Sequence, residues 1–478
     1  MNTIKTLPVN MGVMHFIGIG GIGMSGIAEI LLGMGYTVQG SDAAESYNTE
    51  RLKKKGASVF IGHDAAHIQG ATVVVVSSAI KGENPEYAAA RAAGIPIIHR
   101  SEMLAEIMRF YHNVAISGTH GKTTTTTMVY SLLEAGGISP TVINGGILNA
   151  LSSNARIGDG SWMVVEADES DGSFTRLKPT IAVITNMDPE HMEHYGDMEK
   201  MRRAYLTFAD SVPFYGLAVL CADHPEVVRM RGNLTNRRSV SYGFSHQADY
   251  HAHSLRFDGM TTTFDLTIRL DGQVVEEKDL TLNMPGQHNV QNACAAIAVA
   301  RELGIDMADI RKGLAAFAGV KRRFTLVGKL PSGATVVDDY GHHPVEIAAT
   351  LKTARGVFGK HKVLAVIQPH RYSRLKDLMN DFATCAMEAD AVLVAPVYPA
   401  GELPIPGVDH ATLAEKMRRS GHHNVQAIAD EDALFAYVSE HMTQGDGGIC
   451  LGAGSITKWA QHLVERFNIN ADATAAHK

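Results

Sequence analysis

"VAISGTHGKTTTTTMVY", residues Val114–Tyr130, joins an apolar segment to a Gly-Lys-Thr triplet and then to five consecutive threonines. The phosphate-binding loop pattern is G-x-x-x-x-G-K-[ST]. Gly121, Lys122 and Thr123 complete its end, but Ile116 stands where the first glycine belongs, and Gly118 supplies a closer one. An apolar strand before such a loop and a helix after it is the context in which backbone N–H groups cradle phosphates. In that context Lys122 can reach the β/γ-phosphates and Thr123 can ligate Mg²⁺. β-Branched Thr123–Thr127 make a poor helix start on propensity, so hydroxyls are wanted there. The loop therefore predicts a parallel α/β sheet with a phosphate site at its edge.

The rest of the chain extends that pattern in both directions. At 478 residues there is material for about three domains. Before the loop, apolar runs at Met14–Ile19, Thr37–Gly40, Thr72–Val76 and Ile95–His99 alternate with helical stretches. After it, apolar runs at Trp162–Val165 and Ile181–Thr185 end in "EADESD" and "NMDPEHMEHY". Polar–apolar alternation over residues 238–282 predicts an antiparallel insertion, and "GQHNVQNACAAIAVARELGI" a helix. From about residue 325, strands at Thr335–Val337, Val363–Ile367 and Ala391–Ala395 alternate with helices at Val345–Thr353 and Arg374–Cys385. The expected organisation is α/β with three domains: residues 1–112 Rossmann-like, 113–324 a central P-loop sheet, and 325–478 a second Rossmann-like unit. The last ten residues, "INADATAAHK", are expected to fray.

Composition narrows the class. Hydrophobic residues are 45% and charged residues 19%, and 43 basic against 50 acidic residues give −7, with no basic footprint for nucleic acid. Cys221, Cys294, Cys385 and Cys450 lie far apart without metal-ligand spacing and read as reduced thiols of a cytoplasmic protein. The opening "MNTIKTLPVNMGVMHF" has no leader-like apolar core, and no run of 18 apolar residues predicts a membrane span.

Further segments carry chemistry. In "HFIGIGGIGMSGIAEIL", Gly18, Gly20 and Gly23 form G-x-G-x-x-G, and Asp42 follows 24 residues after Gly18. This is the dinucleotide-binding arrangement, and alone it does not separate NAD from a UDP-linked group. Glu166, Asp168, Glu169 and Asp171 follow one strand, and Asp188, Glu190, His191 and His194 the next. That edge suits Mg²⁺, with Glu166 and His191 as the expected ligands and the other acids mostly outside direct coordination or at the surface. "FAGVKRRF" could bring an Arg to nucleotide phosphates. "VDDYGHHP" (Val337–Pro344) and "IQPHRYSR" (Ile367–Arg374) end two strands of the third unit, and Arg371 with Arg374 could clamp a small carboxylate.

Taken in order, "GTHGKTTTT", "EADESD", "NMDPEHMEHY", "GQHNVQNA", "GVKRRF", "DDYGHHP" and "QPHRYSR" resemble the Mur ligases of peptidoglycan synthesis over residues 14–466. The front end, with "SSAIKGENPE" and "HRSEML", resembles the members that act directly on UDP-N-acetylmuramate. The resemblance implies an ADP-forming ligase using ATP and Mg²⁺ (or Mn²⁺) and joining L-alanine to UDP-N-acetylmuramate. The neighbouring possibility is attachment of a recycled L-Ala-γ-D-Glu-diaminopimelate tripeptide. An NAD-dependent oxidoreductase is the alternative from another class; it leaves the Lys122 loop unexplained. The resemblance further implies that Gly18, Gly20, Gly21, Gly23, Asp42, Ser77 and Ser78 hold the UDP-sugar. Gly118, Thr119, His120, Gly121, Lys122, Thr123 and Thr124 would hold the ATP phosphates, and Asn289, Asn292, Arg323 and Asp339 the rest of that nucleotide. Thr123, Glu166 and His191 would hold the metal, and Tyr340, His342, Arg371 and Arg374 the amino acid, with Lys122, His191 and Arg371 closest to the chemistry. A cytoplasmic monomer or homodimer is expected. One position departs from the family: a carbamylated lysine is expected about fifteen residues past the metal His, and Leu206 stands there.

Overall fold

The computed structural model describes residues 11–476, and its strands form three sheets. The first has five parallel strands, β1 (Val13–Ile17), β2 (Thr37–Asp42), β3 (Ser58–Ile61), β4 (Ala71–Val76) and β5 (Ile97–His99), in the order β3-β2-β1-β4-β5. The order reverses between β2 and β4 on either side of β1, which opens a crevice at the C-terminal ends of β1 and β4, where ligands of such sheets sit. Four helices accompany it: α1 (Ile22–Gly33), α2 (Tyr47–Lys54), α3 (Pro85–Ala92) and α4 (Arg100–Met108). Asn84 caps α3 with proline at its first position, and Ser46 closes a capping box with Thr49 on α2.

The second sheet has ten strands: β6 (His112–Ser117), β7 (Thr141–Leu148), β8 (Ser153–Arg156), β9 (Trp162–Glu166), β10 (Ile181–Ile184), β11 (Leu217–Cys221), β12 (Ser239–Gly243), β13 (Tyr250–Asp258), β14 (Thr261–Leu270) and β15 (Gln273–Leu282). Its order is β15-β14-β13-β12-β11-β10-β6-β9-β7-β8. The loop strand β6 is central, its residues Val114–Ser117 fully buried between β9 and β10, and α5 (Lys122–Ala135) follows it. The insertion expected to be antiparallel begins otherwise: β12 runs parallel to β11, and β13 starts parallel to β12. Only the two-residue turns at 259–260 and 271–272 impose hairpins, since parallel neighbours need long crossovers.

The third sheet is β16 (Thr325–Lys329), β17 (Thr335–Asp339), β18 (Val363–Ile367), β19 (Ala391–Val394), β20 (Val425–Ala427) and β21 (Gly447–Leu451), ordered β16-β17-β21-β18-β19-β20. It is parallel except at the β16–β17 edge. Both of its faces are apolar and covered, as parallel strands require: Val337, Ala365, Ile367 and Val392 pack on one side, and Val336, Leu364, Val366 and Leu393 on the other. The helix expected over Arg374–Cys385 is two short pieces, Tyr372–Asp377 and Met379–Phe382, broken at Leu378 (φ −107°, ψ 19°). The final helix, Ile456–Ala476, carries on through most of the expected frayed tail, because "ADATAA" is alanine-rich. Residues 1–10 and 477–478, including most of the opening segment, lie outside the described residues.

By internal contacts the chain divides into two compact units, one holding residues up to Ser254 with Phe264–Thr281 and Val290–Ala318, the other Leu255–Thr263, Leu282–Asn289 and Gly319 onward. Within the first unit, α1 and α2 lie against the β7–β8 edge of the second sheet. Asn154 Nδ2 donates to Ile22 O at 2.6 Å, and Arg51 donates to Asn154 Oδ1 at 2.5 Å. Glu29 on α1 is buried there, with Arg51 Nε and Lys55 Nζ each 3.0 Å from its carboxylate.

Candidate active site

β6 delivers the chain into the phosphate loop at full burial, and α5 starts at Lys122 with Gly121 at φ +83° as its N-cap. Gly118 is obligatory: at φ +137° a Cβ would fall 1.9 Å from Thr185 Oγ1. The loop is sewn to the segment after β10. His120 N donates to Asn186 Oδ1 (2.7 Å), Thr185 Oγ1 donates to His120 O (2.6 Å), and Asp188 N donates to Thr119 Oγ1 (2.9 Å). Its amides are thus fixed at the positive end of a 14-residue helix, where anions bind. The threonine run divides. Thr123 and Thr124 sit in the first turn, whereas Thr125, Thr126 and Thr127 are packing residues. Thr125 donates to Asn292 Oδ1 (3.1 Å), Thr127 donates to Thr123 O (2.8 Å), and Asn144 Nδ2 donates to Thr127 (2.8 Å). The hydroxyls of Thr125 and Thr127 are thus spent within the protein.

Lys122 Nζ donates to Gly118 O (2.6 Å) and Thr119 O (3.1 Å) and pairs with Glu169 at 2.9 and 2.8 Å to its two oxygens. Burial works against the charged ammonium, but the Glu169 and Glu166 carboxylates outweigh it and keep the lysine protonated. Glu169, expected with the acids outside direct coordination or at the surface, is 1% exposed and lies beneath the loop.

The remaining acids have separate partners. Glu166 ends β9 and folds over Gly145 of β7, whose N–H donates to Oε2 at 2.8 Å. Any Cβ at Gly145 would lie 2.3 Å from that carboxylate, so the glycine pair in "TVINGGIL" was the sequence signal for this approach. Asp168 is bound by Arg100 at 2.5 Å; burial alone would raise it, yet Arg100 and Lys122 hold it at about 2. Ser78 donates to Asp171 Oδ2 (2.6 Å) and sits 3.1 Å from His99 Nε2. The turn after β4 and the first turn of α4 thereby meet the acidic edge of the second sheet. Arg100 and His99 were missed as individual residues, although "HRSEML" contains them. His191, at φ +58°, starts a short helix, with Nε2 3.9 Å from Glu169 Oε1. Asn292 lies against the loop: a Cβ on Gly121 would be 2.8 Å from its Oδ1.

In the glycine turn after β1, Gly18 N and Ile19 N donate to Ser41 O, and Gly20 N donates to Asp42 Oδ2 at 2.8 Å. Asp42 thus shapes the turn itself. Ser77 follows β4 and is half-buried.

The second unit gathers its own set at the C-terminal ends of β17 and β18. Asp339 accepts from Phe324 N (2.7 Å), Gly341 N (2.8 Å) and Thr350 Oγ1 (3.2 Å), so its buried carboxylate shapes the arginine turn. Arg322 and Arg323 lie over the Tyr340 ring at 4.8 and 5.3 Å. His342 stands edge-on to both Tyr340 and His370, and His370 stacks on Tyr398 at 5.5 Å. Burial, then His342, Arg374 and Arg371, drive His370 down to about 4, leaving it neutral at pH 7. Arg374 Nη1 lies 3.5 Å from His370 Nδ1, while Arg371, at φ +71°, is exposed. Asn289 Nδ2 donates to Pro285 O at 2.7 Å.

Three stretches match Mur ligase descriptions: residues 13–112 the Mur ligase family, catalytic domain; 116–300 the Mur ligase middle domain; 322–454 the Mur ligase, glutamate ligase domain. A UDP-N-acetylmuramate–L-alanine ligase of Phenylobacterium zucineum is 55% identical over 460 residues, 96% of each chain. One from Jannaschia sp. is 56% identical over 477 residues and the full length of both. The chain belongs to the Mur ligase family. Among solved structures, the UDP-N-acetylmuramate-alanine ligase of Thermotoga maritima superposes with a TM-score of 0.81 at 30% identity, covering 96% of this chain and all of that one. A Mur ligase has three α/β domains, and the three sheets are those domains. Family membership also removes the oxidoreductase reading of the glycine turn.

In this Mur ligase Leu206 lies half-buried on the helix Met198–Asp210. Among the described residues no group of three or more His, Cys, Asp or Glu could hold a metal alone. Mg²⁺ takes oxygen donors and completes its sphere with water and phosphate oxygens; the Thr123 hydroxyl and the Glu166 carboxylate are donors of that kind, and the His191 imidazole is a softer third.

Proposed function

We propose that the chain joins L-alanine to UDP-N-acetylmuramate in peptidoglycan precursor synthesis, consuming ATP and releasing ADP and phosphate. The observation that carries this is the phosphate loop, with Lys122 buried on an edge of carboxylates, in a chain matched end to end by ligases named for that reaction.

The lactyl carboxylate of the sugar attacks the γ-phosphorus, the bond from that phosphorus to the β–γ bridging oxygen breaks, and an acyl phosphate and ADP form. The amine of alanine then attacks that carbonyl, and phosphate leaves. A free carboxylate is a poor acceptor for an amine, so phosphorylation supplies the leaving group. The loop amides and Lys122 offset the charge of two approaching anions, and most of the catalytic effect is positioning and charge neutralisation. Thr123, Glu166 and His191 would hold Mg²⁺, which neutralises phosphate charge when bound. The glycine turn after β1, with Ser77 and Ser78, holds the UDP moiety, and Asn289, Asn292, Arg323 and the Asp339-shaped turn serve the adenine nucleotide. Tyr340, His342, Arg371 and Arg374 hold alanine; the exposed Arg371 guanidinium suits the alanine carboxylate. We place the domain boundaries near residues 112 and 324. Among the described residues no helix is long and apolar enough to cross a membrane, and we place the reaction in the cytoplasm with its nucleotide substrates.

Phosphate release with UDP-N-acetylmuramate, ATP and Mg²⁺ tests the acceptor. L-Alanine is expected to support turnover and L-Ala-γ-D-Glu-diaminopimelate not. Turnover with the tripeptide alone would overturn the proposal. Arg371→Ala is expected to raise the KM for alanine at least ~10-fold, the loss of one charge-assisted contact, with UDP-sugar affinity by calorimetry unchanged. Equal loss of both would make Arg371 structural.

A further inference from the structure

We infer that Glu169 is a positioning residue that competes with the bound nucleotide for Lys122, and so weakens the hold of the loop on the diphosphate product. The inference rests on the phosphate-loop assignment above.

Three features support it. An ammonium has three donors. All three of Lys122 are spent: on Gly118 O at 2.6 Å, on Thr119 O at 3.1 Å, and on the Glu169 carboxylate at 2.8–2.9 Å. A lysine that must contact phosphate therefore gives up one of these bonds each time a nucleotide arrives, and regains it when the nucleotide leaves. Second, neither set of partners can follow the lysine. The loop carbonyls are held by Gly118, whose packing against Thr185 leaves no room for a Cβ, and by Thr119, whose hydroxyl accepts from Asp188 N. Glu169 is anchored through its own backbone carbonyl, which accepts from the Tyr195 hydroxyl and from Gly172 N. Third, Glu169 is 1% exposed, so water cannot replace Lys122 as its partner. Burial pushes the Glu169 carboxyl up to about 7 and Lys122 pulls against that shift, so drawing the ammonium away costs the pair its mutual stabilisation. Lys122 thus remains shared, and the nucleotide binds against the pull of a fixed carboxylate.

That arrangement discriminates by charge. A triphosphate, with more anionic oxygens facing the loop, outcompetes Glu169 more effectively than a diphosphate does. After phosphoryl transfer the balance shifts back towards Glu169, and ADP leaves. Glu169→Gln keeps the shape and one acceptor while removing the competing charge.

The test is calorimetric binding of ADP without divalent cation or other substrates, together with steady-state turnover. Glu169→Gln is expected to bind ADP at least fivefold more tightly than wild type, with a lower KM for ATP and a lower kcat limited by ADP release in a chase experiment. ADP affinity that is unchanged or weaker in a variant with wild-type thermal stability would overturn the inference. Should Glu169→Gln fail to fold, Glu169→Asp serves: the shorter side chain lengthens the pair, and tighter ADP binding is again expected, with unchanged or weaker binding again contrary. In the Lys122→Ala background the effect of Glu169→Gln on ADP affinity should shrink at least threefold; persistence at full size would mean that Glu169 repels phosphate directly, not through Lys122. Wild-type protein that binds no ADP at all would instead overturn the phosphate-loop assignment.

Discussion

Lys122→Ala should slow substrate-dependent phosphate release about 30- to 1,000-fold, the ~2–4 kcal/mol cost of losing one well-placed electrostatic donor. The loss falls on the transition state because charge accumulates on the transferring phosphoryl group and on two anions brought together. Lys122 is a cation hydrogen-bonded within the loop. Its removal also leaves the buried Glu169 carboxyl without its ammonium partner. Turnover near wild type in a phosphate-release assay would refute the assignment of the loop. Unchanged UDP-sugar affinity in the same variant would confirm that the fold is intact.

Glu86→Gln is the second large effect, on stability. Glu86 opens α3 with a fully buried side chain. Its carboxylate accepts from Ser41 Oγ (2.5 Å), His15 Nε2 (3.0 Å) and His67 Nδ1 (2.9 Å), tying α3 to β1, β2 and the turn after β3. Burial alone would raise its pKa, but these bonds dominate and hold it at about 2. A carboxyl depressed on folding contributes stability that is present above its unfolded pKa of about 4.3 and lost as pH falls towards 2. A shift of that size corresponds to about 3 kcal/mol at neutral pH. Urea unfolding should therefore show the variant about 2–3 kcal/mol less stable at pH 7, with the gap narrowing as pH drops below about 4.5. A gap constant from pH 7 to 3.5 would contradict the proposed role of the charge.

The elements most legible in sequence were those with one dominant periodicity. β6, β9, β10 and β18 are near-continuous apolar runs because both faces of a parallel sheet are covered. β12 and the start of β13 were less legible, since alternation marks a half-buried strand without stating the direction of its partner. The break at Leu378 is equally silent: neither glycine nor proline lies within Tyr372–Phe382. The positive φ of Arg371 was silent too, being imposed by the pairing of its N–H with Tyr398 O.

The order of chemical groups along the chain, by itself, determined the family, the three-sheet α/β plan and the residue types of each site. Those depend on local rules: glycine where the backbone must turn, a lysine after it, acids and histidines at strand ends. Which acid does what was decided only by the tertiary structure. Asp168, Glu169 and Asp171 are near neighbours in "EADESD", yet they face Arg100, Lys122 and Ser78. Asp339 and Asp42, read as ligands of a nucleotide and a ribose, also accept from backbone N–H groups of their own turns. A carboxylate's role is set by which donors and charges surround it after folding. Those neighbours come from strands and helices tens of residues away, where sequence spacing carries no record of the distance.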